Sequence, residues 1–356
     1  MKLAKNLVSV ACAVAITISM AGCSSVNSGS KSSSKKSNIV IGFSDNYNGN
    51  SFHQCEEKAL KQVGATLKSS GQIADYTIVE ANNSAQTQIS QIESLILKKV
   101  SAIIIDPSSP TALDGAISKA KAANIPVIIA NDGPVDSTDC YQLVVNHRTM
   151  TRDTATWLCQ KLNGKGNVLV LRGIAGTQSD KEYYDGMSQV FKTYPDIKIV
   201  GSVYGNWTNS IAQNAVASVL PSLPKVDGVE GEGGDAIGAM QAFQMAGKQI
   251  PILVGGNRGI FLKWWSDQLK KDPSFTDYSE CVDPAGAAAS MYLAVDIING
   301  KKIPQNMVLP NIKITNDTLS TYTSITSDDV AMSTPTQASV RSILETQQSA
   351  TLPLTQ

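Results

Sequence analysis

The sequence predicts an α/β fold of two doubly wound lobes with parallel sheets, and three observations carry that prediction. Short apolar runs alternate with longer segments of helical period from Asn38 to Asn299. The alternation restarts after Leu143–Val145, so the chain holds two similar halves. About 300 residues follow the polar N-terminal stretch, more than one hydrophobic core usually serves. Repeated βα units require a parallel sheet with helices on both faces.

In the first half, Asn38 to Phe43 is a continuous apolar run, as expected of a strand buried on both faces. Phe52 to Leu67 follows with helical spacing, then Tyr76 to Val79 as a strand. Ala85 to Lys99 is a helix, because Ile89, Ile92 and Ile96 recur at three- and four-residue intervals. Ala102 to Ile105 is a strand. Pro110 to Ala123 is a helix with proline in its first turn, and Pro126 to Ala130 closes the unit. In the second half, helices are expected at Arg148–Leu162, Ser179–Phe191, Ser210–Leu220, Asp235–Ala246 and Gly259–Leu269. Strands are expected between them at Asn167–Leu171, Ile197–Val203, Gly228–Glu230 and Ile252–Val254. Tyr278 to Val282 is expected to return the chain to the first lobe, where Pro284 to Asn299 forms a helix. A last short helix is expected at Thr336–Gln347.

The N-terminus is of a different kind. Lys2 and Lys5 precede an apolar run from Leu7 to Met20, too short to span a bilayer. Met20-Ala21-Gly22-Cys23 then resembles a bacterial lipobox, in which the cysteine carries the lipid anchor. The alternative is an ordinary signal peptide cut near Ala21. Residues 24–37 hold eight serines and three lysines and read as a flexible tether. The expected arrangement is thus a lipoprotein signal peptide at 1–22 and a tether at 23–37, with the remainder extracytoplasmic.

Residues 38–356 carry 25 Lys and Arg against 30 Asp and Glu, which gives no basis for nucleic-acid binding. Cys55, Cys140, Cys159 and Cys281 contain no Cys-x-x-Cys pair, and His53 and His147 are the only histidines, so a zinc site is not expected. The cysteines read as buried thiols, with one bridge possible.

Several stretches together resemble the type I periplasmic sugar-binding proteins, the ribose/galactose-binding group that serves ABC importers. They are IVIGFSDNYNGNSFH (39–53), QISQIESLI (88–96), AIIIDP (102–107), AANIPVIIAND (122–132) and GIAGT (173–177), in the family's order and spacing. The resemblance covers about residues 38–320. It implies two Rossmann-like lobes joined by a three-strand hinge, closing on a sugar or related polyol that they leave unaltered. It further implies a monomer with no cofactor, partnered by an ABC permease in the membrane. The lobes would comprise 38–145 plus 283–310 and 146–282 plus 311–330, with 331–356 a C-terminal extension. A second possibility is a sensor that presents a sugar or amine-bearing ligand to a membrane receptor kinase.

Carried over position by position, the resemblance puts ligand-binding residues at Ser44, Asp45, Asn50, Phe52 and His53 in the first loop. Asp106, Asn131 and Asp132 follow the next strand ends. Tyr183, Trp207, Glu232, Asp235, Asn257 and Arg258 belong to the second lobe. Sugars need planar polar groups for hydroxyls and aromatic faces for C–H surfaces, in an otherwise apolar cleft. Two arginines common in the family are missing, at Asp132 and Tyr183. Arg258 is the expected cationic substitute, and the gathered acids leave room for an amine-bearing ligand. Each position also has a structural reading. Phe52 could staple its helix, Trp207 could pack in the core, and Asp106-Pro107 and Asn131-Asp132 could organise turns.

Gly231-Glu232-Gly233-Gly234-Asp235-Ala236 fits the G-x-G-x-x-A dinucleotide fingerprint. Its two acids would repel a pyrophosphate, and no ribose-binding acid follows at the required spacing. No Gly-x-Ser-x-Gly elbow occurs. The expectation is a binding protein, not an enzyme.

Overall fold

A computed structural model describes residues 37–131, 133–326 and 328–347. The signal, Cys23 and the tether up to residue 36 lie outside the described residues. The first stretch of chain runs β1 (Val40–Asp45), α1 (Ser51–Ser69), β2 (Asp75–Glu80), α2 (Ala85–Leu97), β3 (Ala102–Ile105), α3 (Asp114–Ala122), β4 (Val127–Asn131) and β5 (Tyr141–Val144). The second runs α4 (His147–Lys161), β6 (Lys165–Arg172), α5 (Gln178–Phe191), β7 (Asp196–Tyr204), α6 (Asn209–Val219), β8 (Gly228–Gly231), α7 (Ala236–Met245), β9 (Ile252–Val254), α8 (Gly259–Lys271) and β10 (Ser279–Cys281). The chain ends with α9 (Gly286–Ile298), β11 (Asn306–Val308), β12 (Ile312–Ile314) and α10 (Gln337–Gln347).

Two sheets result. The first has order β11-β5-β4-β3-β1-β2, the second β7-β6-β8-β9, and every pairing in both is parallel. Successive side chains of a strand point to opposite faces, so each sheet is covered twice. Ile103 and Ile105 join Ile92, Leu95 and Ile117 on one face, while Ile104 joins Ile41, Leu60 and the α9 alanines on the other. In the second lobe Leu169 and Leu171 meet Phe243 and Trp265, and Val168 and Val170 meet Leu158 and Met187. Side-chain caps fix the helix starts. Asn50, Ser84, Asn146 and Thr177 each accept a backbone N–H three residues on.

Three details depart from the sequence expectation. Residues 110–113 form a turn, because Ser109 Oγ accepts the Ala112 N–H at 3.1 Å, and α3 begins only at Asp114. The strand expected to return the chain to the first lobe is β10. It pairs antiparallel with β12 and packs Cys281 into the second lobe's core. β11 and β12, three residues each, carried no signal in the sequence. Among the described residues the chain crosses between the lobes after β5, after β10, after β11 and again ahead of α10. α10 lies where the last helix was expected and buries Val340 and Leu344 against the first lobe. The four cysteines are free and buried. Burial pushes the thiols of Cys140, Cys159 and Cys281 up to about 12, so they are unreactive.

Glu230, on β8, is fully buried, with Thr154 Oγ1 donating to Oε1 at 2.5 Å. Burial pushes its carboxyl from 4.5 up to about 8, against the pull of that hydrogen bond. Between those two values the folded chain keeps a proton that the unfolded chain has released, so stability falls as pH rises through this window. Glu230→Gln is expected to flatten the slope by up to one proton, about 1.4 kcal/mol per pH unit. Urea denaturation from pH 5 to 8 measures it, and an unchanged slope counts against the assignment.

Candidate functional site: a cleft between the carboxyl ends of two sheets

Parallel pairing sends every βα loop to the same end of its sheet, where ligands of open α/β folds bind. The loops of the two sheets enclose a cavity of about 510 Å³. The first lobe contributes Asn50, Phe52 and His53, where α1 starts. Asn50 Oδ1 accepts the His53 N–H at 3.1 Å, so one residue both caps the helix and borders the cavity. The second lobe contributes Tyr183, Trp207, Glu232, Asn257 and Arg258.

His53 separates the cavity from a buried acidic group. Its Nδ1 lies 3.7 Å from Asp45 Oδ1, 3.6 Å from Asp106 Oδ2 and 3.9 Å from Glu56 Oε2. The ring is held edge-on by Tyr47 and Phe52, at centroid distances of 5.9 and 5.2 Å. One oxygen of each of these three acids and one ring nitrogen of His53 lie within 4.8 Å of one another.

Five residues expected to touch ligand therefore stand behind the cavity wall. Ser44 Oγ donates to Gln91, and the Ser44 and Asp106 carbonyls both accept from the Gln88 amide. Asp45 accepts the Tyr47 N–H at 3.2 Å. Asn131 donates to Glu56 Oε2 at 2.8 Å and is fully buried. Asp235 is buried under the loop that carries Trp207, and burial pushes its carboxyl up to about 7. Asp132 lies outside the described residues.

Trp207 forms the second lobe's aromatic wall under strain. Asn206 and Trp207 both adopt left-handed φ, 52° and 51°, which for a bulky residue costs about 1–3 kcal/mol. Two features hold it there. Arg258 Nη2 donates to the Trp207 carbonyl at 3.1 Å. The indole lies over Gly173, where an added Cβ would sit 2.1 Å from the ring. The glycine that opens GIAGT is thus required by close approach. Tyr183 meets Trp207 edge-on at 6.3 Å and His147 at 4.5 Å. His147 hydrogen-bonds Glu182 at 3.1 Å.

The two charged residues on the wall are less charged, or less available, than the sequence suggests. Glu232 Oε2 accepts the Gly173 N–H at 2.8 Å. Burial, helped by Asp180, pushes its carboxyl up to about 9 despite that bond and nearby Arg172, so it is neutral at pH 7. Arg258 was expected to offer its guanidinium to ligand. Instead Nε donates to the Gly234 carbonyl, Nη1 to Ser51 Oγ and the Asp328 carbonyl, and Nη2 to Trp207. The Asn257 Oδ1 is buried without a hydrogen-bond partner among the described residues and borders the cavity. Sequence reasoning missed Tyr47, Ser108 and Gln178, which also line it. The last two each adjoin a motif already singled out, after Asp106-Pro107 and after GIAGT.

A family model described as periplasmic binding protein domain matches residues 41–302. The chain is 31% identical over 176 residues to a xylitol-binding protein of Mycolicibacterium smegmatis, covering 49% of this chain and 50% of that one. It is 26% identical to a D-apiose import binding protein of Actinobacillus succinogenes, covering 58% and 66%. The aligned part thus spans about half to two thirds of these relatives. An ABC transporter solute binding protein from Thermobispora bispora superposes with a TM-score of 0.78 at 33% identity, covering 86% and 95%. An Actinobacillus succinogenes periplasmic solute binding protein with bound D-allose gives 0.68 at 24%, covering 80% and 100%, which speaks to the fold alone.

Gly173→Ala is expected to push the Trp207 indole off its seat with the fold intact. In an NMR spectrum the Trp207 indole N–H resonance should move while most backbone amides stay in place. An unmoved indole signal would contradict the close-approach argument.

Proposed function

The chain belongs to the periplasmic binding protein domain family, and on that premise we propose that it is an extracytoplasmic binding protein of an ABC importer that captures a neutral sugar or polyol between its lobes. The observation that carries the reading is the make-up of the cavity wall. Aromatic faces at Phe52, Tyr183 and Trp207 alternate with uncharged hydrogen-bonding groups at Asn50, Ser108, Gln178 and Asn257. That combination suits a ring or chain of hydroxyls with C–H faces between them.

The wall speaks against an amine-bearing ligand. Glu232 is neutral at pH 7, and Asp45, Asp106 and Asp235 stand behind the surface. An ammonium group would lose its hydration without gaining an exposed carboxylate. The named ligands of the xylitol- and apiose-binding relatives are neutral polyhydroxylated molecules and support the same class.

The mechanism is a two-state hinge. A ligand that touches both lobes binds the closed form better, and only that difference shifts the population toward closure. The closed form docks on a permease, and the ligand passes on chemically unchanged. The protein acts as a monomer anchored by lipid at Cys23. Stable anchoring needs at least two acyl chains, which a diacylglyceryl cysteine supplies.

Calorimetric titration with xylitol, pentoses, hexoses, inositol, amino sugars and polyamines tests the class. A neutral polyol or sugar is expected to bind, and polyamines are not; tight binding of charged ligands alone, or recovery of a transformed product, would overturn the proposal. Trp207→Ala is expected to weaken binding at least tenfold, about 1.4 kcal/mol, with the melting profile kept. Cys23→Ser should release the protein from the membrane fraction, and unchanged membrane retention would remove the lipid anchor.

A further inference from the structure

The C-terminal segment crosses between the lobes once more. Val330 bridges antiparallel to Arg258 in the second lobe's cleft loop. On either side the Gly259 N–H donates to the Asp329 carbonyl at 3.0 Å and the Ala331 N–H to the Asn257 carbonyl at 2.9 Å. Ala331 is buried in the second lobe's core. Two residues later the Ser333 N–H donates to Asp283 Oδ1, and α10 then packs Val340 and Leu344 into the first lobe. Gln337 Nε2 donates to Asp296 of α9 at 3.0 Å. The tail is thus fastened on both sides of the hinge, and its Val330 lines the cavity.

Where the tail meets the cleft, Arg258 spans the gap between lobes. One arm donates to Ser51 Oγ at 2.5 Å, at the start of α1 beside Phe52. Another holds the Trp207 carbonyl, and a third contact reaches Asp328 in the tail. Seven residues beyond Ser51, Lys58 of α1 pairs with Asp329 at 2.9 Å. Arg258 is 7% exposed. A buried charge of this kind is tolerated only where its N–H groups have acceptors. Opening the hinge would take Ser51 away from Arg258 and Lys58 away from Asp329, while the tail's attachments beyond Ser333 stay with the first lobe.

We propose that Arg258 and the C-terminal strap form an inter-lobe latch that keeps a fraction of the protein closed before ligand arrives. Arg258 is a positioning residue in this scheme. It ties closure to the placement of both stacking rings, Phe52 through Ser51 and Trp207 through its carbonyl. The ligand then selects a form that already exists and meets an aromatic wall already in place. The inference rests on the reading of the cleft as one that closes on a ligand.

The test is made on the full chain without ligand. Leu97 on α2 and Met245 on α7 are 83% and 79% exposed, one on each lobe, and the four thiols among the described residues are buried. Spin labels on Leu97→Cys and Met245→Cys report the inter-lobe distance distribution by double electron–electron resonance. The ligand-free protein is expected to show a closed component beside an open one. Ser51→Ala, which removes one hydrogen bond and leaves the cores untouched, should lower the closed-to-open ratio about three- to tenfold. Arg258→Lys should lower it further, and Lys58→Ala to a smaller extent, as befits an exposed pair. A ligand-free distribution without a closed component, or one that Ser51→Ala and Arg258→Lys leave unchanged, overturns the latch. An effect on melting temperature alone marks Arg258 as merely structural. Titration with xylitol is a separate arm, and its failure bears on the ligand class and not on the latch.

Discussion

Every strand of both main sheets runs parallel to its neighbours, and this restriction sets the rest. Parallel strands cannot be joined by tight hairpins, so consecutive strands of these sheets other than β4 and β5 are linked by a helix that returns the chain to the same starting end. All loops that leave the strands' carboxyl ends are thereby gathered at one end of each sheet. Helix caps and cavity-lining groups become the same residues, as at Asn50. The cleft is not an addition to the fold; it lies where parallel winding leaves polar backbone and short polar side chains free of sheet duties.

Within that cleft, desolvation decides more than formal charge does. Carboxylates that a count of residues would place around a ligand are drawn behind His53 on one side and beneath the Trp207 loop on the other. Glu232 stays at the surface but holds its proton. Arg258 stays at the surface but is spent on carbonyls and a hydroxyl. What remains for a guest is an array of uncharged donors and acceptors and aromatic faces. Such a wall discriminates by hydroxyl geometry, since a misplaced hydroxyl leaves a buried polar group unsatisfied, at a cost of about 1–3 kcal/mol.

Strands such as Ala102–Ile105 and Val127–Asn131 were legible because a strand covered on both faces must be apolar without interruption. β11 and β12 were not, because three residues between Pro304 and Pro310, or just after the latter, carry no period. Among the site residues, Phe52, His53 and Trp207 could be placed from their positions at strand ends. The depth of Asp45 and Asp106 could not, since it depends on how the His53 ring turns across them. Tyr47 was invisible in an aperiodic loop. The engagement of Arg258 depends on a tail some 70 residues away in sequence, a contact that no local pattern encodes.

Trp207, seated against Gly173 at the cavity wall, has a practical consequence. Of the chain's four tryptophans it alone borders the cleft, while Trp157 stacks on Tyr278 and Trp264 and Trp265 belong to α8. Three indoles therefore supply a steady background, and the fourth exchanges water for guest whenever the cavity fills. The indole can thus serve as an optical gauge of cavity occupancy without any attached dye.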